Sequence, residues 1–375
     1  MCERAPCGVS ALDDRRAGER VLLRSGRRWL VGLVWLGVTV GVSLVGVELA
    51  VRALGLAPPL PNQYAMFVKD PILPHKPRPG SVLEGRSLTG EFDFRYAHNS
   101  FGWRGSELAP DKPPGTFRIL GLGDSFTYGA GVDVAETYLA RLEERLNARG
   151  PGHSRVEVVN AGIPSFFPEA ERLLLEHYGL PLSPDLVVVG FVANDVLDTY
   201  LGLEAIEVLP DGRIVTTHGA RLLADLGPGM LTLYEHWHSF RIPVRRWLTA
   251  RIANERPVRP EEVFREGGFH EEAWREVERQ YDRMVETARA HGAGFVLVYL
   301  PQQGPWDEAA GYPAARLGAW AKRSGVPFVD ALPAMRAGPE PERLYWPRDR
   351  HPTEAGHAII ANALFEALTA RKLVP

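Results

Sequence analysis

Four stretches of the chain hold polar residues whose types and spacing suit chemistry. GLGDSFTYGAG (121–131) sets Asp124 and Ser125 between glycines, directly after an apolar run. VEVVNAGIPS (156–165) brings Gly162 and Ser165 after a second run, and FVANDV (191–196) brings Asn194 and Asp195 after a third. WPRDRHPTEAGH (346–357) separates Asp349 from His351 by one residue. The first stretch does not read as a phosphate cradle. Gly121-x-Gly123 is followed by Phe126 where a dinucleotide fingerprint needs glycine, and no Gly-Lys-Ser/Thr follows. A serine at a strand-to-helix turn instead projects its Oγ, and its N–H lies at a helix start where negative charge is favoured. Serine, histidine, carboxylate, glycine amide and asparagine amide together are the parts of an acyl-transfer site: nucleophile, base, base orienter and oxyanion donors.

Such parts need a scaffold that gathers them. FRILGLG (117–123), VEVVNAG (156–162), DLVVVGF (185–191), GFVLVYL (294–300) and VPFVDA (326–331) are short β-rich runs, separated by helical patterns. DVAETYLARLEERLNARG opens with Asp133 three residues before Glu136, the spacing of a capping box, and the last helix is expected from about Thr353 to Leu373. Strands that alternate with helices and are near-continuously apolar imply an α/β fold, a three-layer α/β/α sandwich with about five parallel strands. Ligands of such sheets bind beyond the carboxyl ends of the strands, which is where all four polar stretches fall. An irregular insertion at about 197–261 carries a hairpin pattern, IEVLPDGRIV, and an aromatic stretch with Trp237 and Trp247; it is expected to be either a lid or surface decoration.

The 375 residues are 45% hydrophobic and 24% charged with a formal net charge of −3, which excludes the basic surplus of a general nucleic-acid binder. The two cysteines, Cys2 and Cys7, lie ahead of everything else, so the body has neither a disulfide framework nor a cysteine zinc site. Trp29 to Val47 runs nineteen residues without a charge, preceded by Arg15, Arg16, Arg20, Arg24, Arg27 and Arg28 and followed by Arg52. At about 1.5 Å per residue it nearly spans a hydrocarbon core of about 30 Å. The arginine bias puts the N-terminus in the cytoplasm and the rest outside. A cleaved signal peptide ending near Ala53 or Gly55 is the rival reading, but its core is usually shorter. The expected division is a cytoplasmic segment 1–28, a transmembrane anchor 29–51, a Pro-rich spacer 52–91 and a catalytic domain 92–375.

GDSFTYG, NAGIPS, ANDV and DRHPTEAGH resemble, in order and spacing, the four sequence blocks of the SGNH (GDSL-type) hydrolases. The likeness covers roughly 96–375, and NSFGWRG (99–105) looks most like membrane-anchored bacterial members. The resemblance implies a flavodoxin-like SGNH fold and a serine esterase without cofactor or metal. It makes Ser125 the nucleophile and Asp349 and His351 the rest of a triad. Ser125, Gly162 and Asn194 become the oxyanion hole, supported by Asp124 and Asp195. Taken singly, Ser125 reads as a helix N-cap, Asn194 as a turn former and Asp349 as a surface charge; His357 reads as structural. The implied partners are an ester-bearing small molecule, lipid or glycan and, through the N-terminal helix, a membrane; no nucleic acid is expected. The implied location is the bacterial inner membrane, single-pass, with the catalytic domain periplasmic or extracellular. An O-acyltransferase of extracytoplasmic polysaccharide would use the same triad, and a non-catalytic glycan-binding module is the reading from another class.

Overall fold

The computed structural model of the chain describes residues 10–57, 65–87, 89–150, 154–209, 212–216, 227–255, 260–268, 270–304, 306, 309–338 and 340–375. Cys2 and Cys7 and parts of the expected spacer and insertion fall outside these residues. Two compact units are present: Met1–Pro59 with Leu226–Ala250, and Leu60–Asp225 with Arg251–Pro375.

The chain begins with α1 (Ser10–Ala53), of which Val31–Ala53 has a mean hydropathy of 2.0. Among the described residues this is the one helix long and apolar enough to cross a membrane. In the second unit, β1 (Phe67–Val68) pairs with β2 (Lys76–Pro77), and β3 (Val82–Arg86) forms an antiparallel hairpin with β4 (Asp93–Ala97). Next come β5 (Thr116–Gly123), α2 (Ser125–Tyr128), α3 (Tyr138–Asn147), β6 (Arg155–Asn160), α4 (Pro168–Leu174), β7 (Leu186–Phe191) and α5 (Asn194–Leu201). The expected hairpin of the insertion is β8 (Ile206–Val208) against β9 (Ile214–Thr216). Then follow α6 (Pro228–His236) and α7 (His238–Glu255). The chain closes with α8 (Glu271–Ala290), β10 (Gly294–Tyr299), α9 (Tyr312–Ser324), β11 (Phe328–Asp330), α10 (Leu332–Arg336) and α11 (Glu354–Ala370).

The central sheet has the order β11-β10-β7-β5-β6, and every neighbouring pair is parallel. All five runs read from the sequence are its strands. Successive side chains of a strand face opposite ways, so each buried strand feeds two cores. Leu120, Leu122, Val187, Val189 and Leu297 join Leu174, Trp274, Tyr281 and Leu317 of α4, α8 and α9. Ile119, Val188, Val296 and Val298 join Leu139, Leu142, Ile360 and Leu364 of α3 and α11. Helices therefore cover both faces, which is why the strands lack polar alternation.

Three local expectations change. Within the expected spacer 52–91, Met66, Phe67, Leu73 and His75 are fully buried in the second unit. Among the described residues 65–80 the strands are only two residues long, yet the apolar residues between the prolines pack. Residues 226–250 of the insertion group with α1 instead of the body. There the buried Glu48 accepts from the backbone N–H groups of His238 and Ser239 at 2.9 and 2.8 Å, and Arg52 donates to the His236 carbonyl. Finally, α3 is capped by Thr137, whose Oγ1 accepts from Ala140 N; Asp133 makes no side-chain cap.

Candidate active site

The turn from β5 into α2 places the serine. Gly123 has φ +149°, and a Cβ there would lie 2.1 Å from Thr127 Oγ1 and 2.9 Å from the Gly190 carbonyl, so only glycine lets the strand turn this tightly. Asp124 then caps the helix by accepting from Phe126 N at 2.8 Å, and Ser125 becomes the first helical residue. The helix stops after one turn because Gly129 is left-handed and returns its N–H to the Ser125 carbonyl. Arg104, buried in the NSFGWRG stretch, donates to the carbonyls of Tyr128, Gly129 and Val132 and so holds the end of that turn.

The loop ahead of α11 supplies the other half. Ser125 Oγ and His351 Nε2 are 2.7 Å apart, and His351 Nδ1 and Asp349 Oδ1 are 2.6 Å apart. All three side chains are half-buried, which leaves the serine reachable. With Nδ1 hydrogen-bonded to a carboxylate, the imidazole presents Nε2 as a proton acceptor toward the hydroxyl. The arrangement can therefore raise the nucleophilicity of Ser125.

Asn194 opens α5 and reaches across to the serine turn. Its Nδ2 donates to Asp124 Oδ2 at 3.1 Å and to Asp198 Oδ2 at 3.2 Å, while its Oδ1 accepts from Gln302 Nε2 at 3.1 Å. Gly162 follows β6 and crosses the serine helix so closely that a Cβ would lie 2.4 Å from Tyr128 N. Its N–H donates to Asn160 Oδ1 at 3.1 Å, and Asn160 Nδ2 in turn holds the Thr127 carbonyl. Of the three expected oxyanion donors, Gly162 and Asn194 thus stand against the turn that carries Ser125, and each is engaged within the protein. Ser165 has φ +65° in the loop after Gly162, and the His351 ring faces Ser125 instead.

Beneath the serine lies a group of acids. Burial pushes the Asp124 carboxyl up, against the hydrogen bonds from Phe126 and Asn194 that favour its charge. Burial, then the charges of Glu171 and Asp124, holds Asp195 well above the usual range. Glu171 is raised by burial and by Asp124, and neither of its oxygens meets a partner among the described residues. Burial also pushes Asp198 up to about 7. Asp195 is fully buried and accepts from Val192 N at 3.1 Å. His357 is structural: its Nδ1 accepts from Tyr138 N at 3.2 Å and burial lowers its pKa to about 3.

Sequence reasoning passed over Glu171, Asp198 and Gln302. Asp198 was visible in principle, four residues after Asn194 on one helix face. Gln302 and Glu171 gave no local signal, because their relation to the site exists only across strands.

The model of the GDSL-like Lipase/Acylhydrolase family matches residues 122–359. No curated protein matches the chain. Among solved structures, TesA is 16% identical, with 68% of this chain and 98% of that chain covered at a TM-score of 0.41. A lipase/acylhydrolase from Enterococcus faecalis is 14% identical, with 68% and 96% covered and a TM-score of 0.41. A catalytic mutant of Axe2, an acetylxylan esterase from Geobacillus stearothermophilus, is 18% identical, with 67% and 94% covered and a TM-score of 0.41.

Proposed function

The chain belongs to the GDSL-like lipase/acylhydrolase family of ester-hydrolysing enzymes, and from that premise we propose that it cleaves acyl esters with Ser125 as nucleophile, His351 as base and Asp349 as orienter. The observation that carries this reading is the continuous chain of contacts Asp349–His351–Ser125, at 2.6 and 2.7 Å. His351 Nε2 takes the hydroxyl proton while Ser125 Oγ bonds to the acyl carbon. The resulting oxyanion is received by the N–H groups of Ser125 and Gly162 and by Asn194 Nδ2. For this, Asn194 turns one hydrogen away from Asp124 or Asp198, and Gly162 shares its N–H with Asn160. Collapse breaks the ester C–O bond, and His351 returns the proton to the departing alcohol. Water then repeats the sequence on the acyl-enzyme and releases the acid.

The substrate we favour is an O-acyl group on a cell-surface glycan or lipid, with α1 as a single-pass anchor in a bacterial inner membrane. Support comes from the apolar length of Val31–Ala53 and from the arginines concentrated ahead of it. A periplasm-dependent reporter fused after Pro375 should be active; activity of a cytoplasm-dependent reporter overturns the topology. For the chemistry, Ser125→Ala should abolish covalent labelling by a fluorophosphonate probe, since the phosphorus needs that oxygen. Full labelling of the variant would reject Ser125 as nucleophile.

A further inference from the structure

We propose that Glu91 is a positioning residue of this ester-cleaving site, so that the β3–β4 hairpin is part of the machinery. The inference rests on the reading of Asp349 and His351 above, but on contacts of its own. Glu91 Oε1 accepts from the Arg348 N–H at 3.0 Å, and Glu91 Oε2 accepts from the Asp349 N–H at 2.9 Å. The Glu91 side chain is only 10% exposed, so water competes little for these bonds. One carboxylate thus grips two successive amides at the residue that orients the histidine, and charge-assisted bonds of this kind are the stronger sort.

The loop needs an outside grip. Trp346 N donates to the His351 carbonyl at 2.9 Å and Arg350 N to the Trp346 carbonyl at 2.8 Å, which ties the ends of the loop together. Arg350 between them sits at φ +71°, a conformation costly for a residue with a Cβ. The amides of Arg348 and Asp349 point outward from this strained turn, to Glu91. Hydrogen bonds of Ser87 hold the residues that present Glu91. Ser87 Oγ accepts from Glu91 N at 3.0 Å and from Phe92 N at 3.3 Å, and Ser87 N donates to the Phe92 carbonyl at 2.8 Å. The Phe92 ring packs on Trp346 at 5.1 Å, and the hydroxyl oxygen of Tyr96 on β4 accepts from the Gly131 N–H at 2.9 Å. The hairpin therefore holds both the acid loop and the segment just after the serine helix.

Glu91 itself lies ahead of residues 122–359, the part of the chain that the family model matches. In this chain an N-terminal hairpin fixes where Asp349 stands, and through it where His351 Nε2 meets Ser125. A misplacement of about 1 Å at such a contact can cost about a hundredfold in rate.

The test compares the full chain in detergent with Glu91→Gln, Glu91→Ala and Ser125→Ala, using p-nitrophenyl acetate turnover and the rate of fluorophosphonate labelling. Glu91→Ala should lower kcat and the labelling rate together by about 10–100-fold, leave KM within about twofold and keep a cooperative thermal transition. Glu91→Gln keeps one acceptor oxygen and should recover part of that loss, remaining about two- to tenfold below the parent. The proposal is overturned if folded Glu91→Ala keeps the parent kcat, if the loss lies in KM alone, or if Glu91→Gln is no better than Glu91→Ala. Should Glu91→Ala fail to fold, the glutamine variant decides: a reduced kcat at parental KM supports the proposal, and parental kcat overturns it. Ser125→Ala separates the two failures, because labelling retained there rejects the reading of the site itself.

Discussion

Asp198 offers a measurable consequence of placing acids under the serine turn. Burial carries its carboxyl from the ordinary 3.8 to about 7, opposed by the hydrogen bond from Asn194 and assisted by the charge of Asp124. At about 1.4 kcal/mol per decade of acidity constant, that is about 4 kcal/mol between the two protonation states. The side chain is only half-buried by surface area, so water screens part of this, and about 2 kcal/mol is the better expectation. In the unfolded chain Asp198 loses its proton near pH 4, whereas in the folded chain it holds it to about pH 7. The folded state therefore binds the extra proton between these values, and its stability falls as pH rises through that window. Above about pH 7 the penalty is complete and constant. Asp198→Asn removes the charge and keeps an acceptor for Asn194. Urea unfolding of the two proteins should give similar stabilities near pH 4, and the variant should gain about 2 kcal/mol over the parent by pH 8. If that difference does not change between pH 4 and pH 8, Asp198 is not a buried acid of this kind.

Asn194→Ala should lower kcat by about 10²–10³ with little change in KM, the usual loss for one oxyanion donor; a near-parental kcat would reassign Asn194 to holding Asp124 and Asp198. His351→Ala should slow fluorophosphonate labelling strongly in a folded protein, and combining it with Ser125→Ala should cost no more esterase activity than the worse single change. Losses that multiply would reject a shared step. A chain starting at residue 81 should melt lower and label more slowly than one starting at residue 60, because it lacks Met66, Phe67, Leu73 and the His75 bond to the Pro164 carbonyl. Equal melting and labelling would return residues 60–80 to the role of spacer.

What was legible in the sequence follows from range. Each of the five strands announces itself within seven residues, because the inner strands are buried on both faces and even the edge strands β6 and β11 keep buried valines. The stretches with Ser125, Gly162 and Asn194 are legible for a related reason: each follows the end of its own strand, and parallel strands bring their ends to one edge. His351 instead comes some twenty residues after β11, in the loop ahead of α11. Glu91 was hidden because its partners lie 257 and 258 positions away, and nothing around it distinguishes it from any exposed hairpin acid. The stretch 52–91 was read by its prolines, which report on local backbone and not on whether Phe67 and Leu73 find a core. Thr137 displaced Asp133 as the helix cap because a 3-10 turn at Val134–Glu136 precedes α3, and pattern alone cannot place that break.

The distance along the chain between the serine and its base has a consequence for synthesis. Ser125 precedes His351 by 226 positions. A ribosome adding about 5–20 residues per second makes the hydroxyl about 10–45 s before the imidazole. Over that interval β5, β6 and β7, contiguous at one side of the sheet, can assemble, while β10 and β11 add later along the β7 side. The nascent chain thus carries an ordinary alcohol past every ester it meets. On the proposed triad, reactivity arrives only with His351, so a chain stalled ahead of it would lack the base.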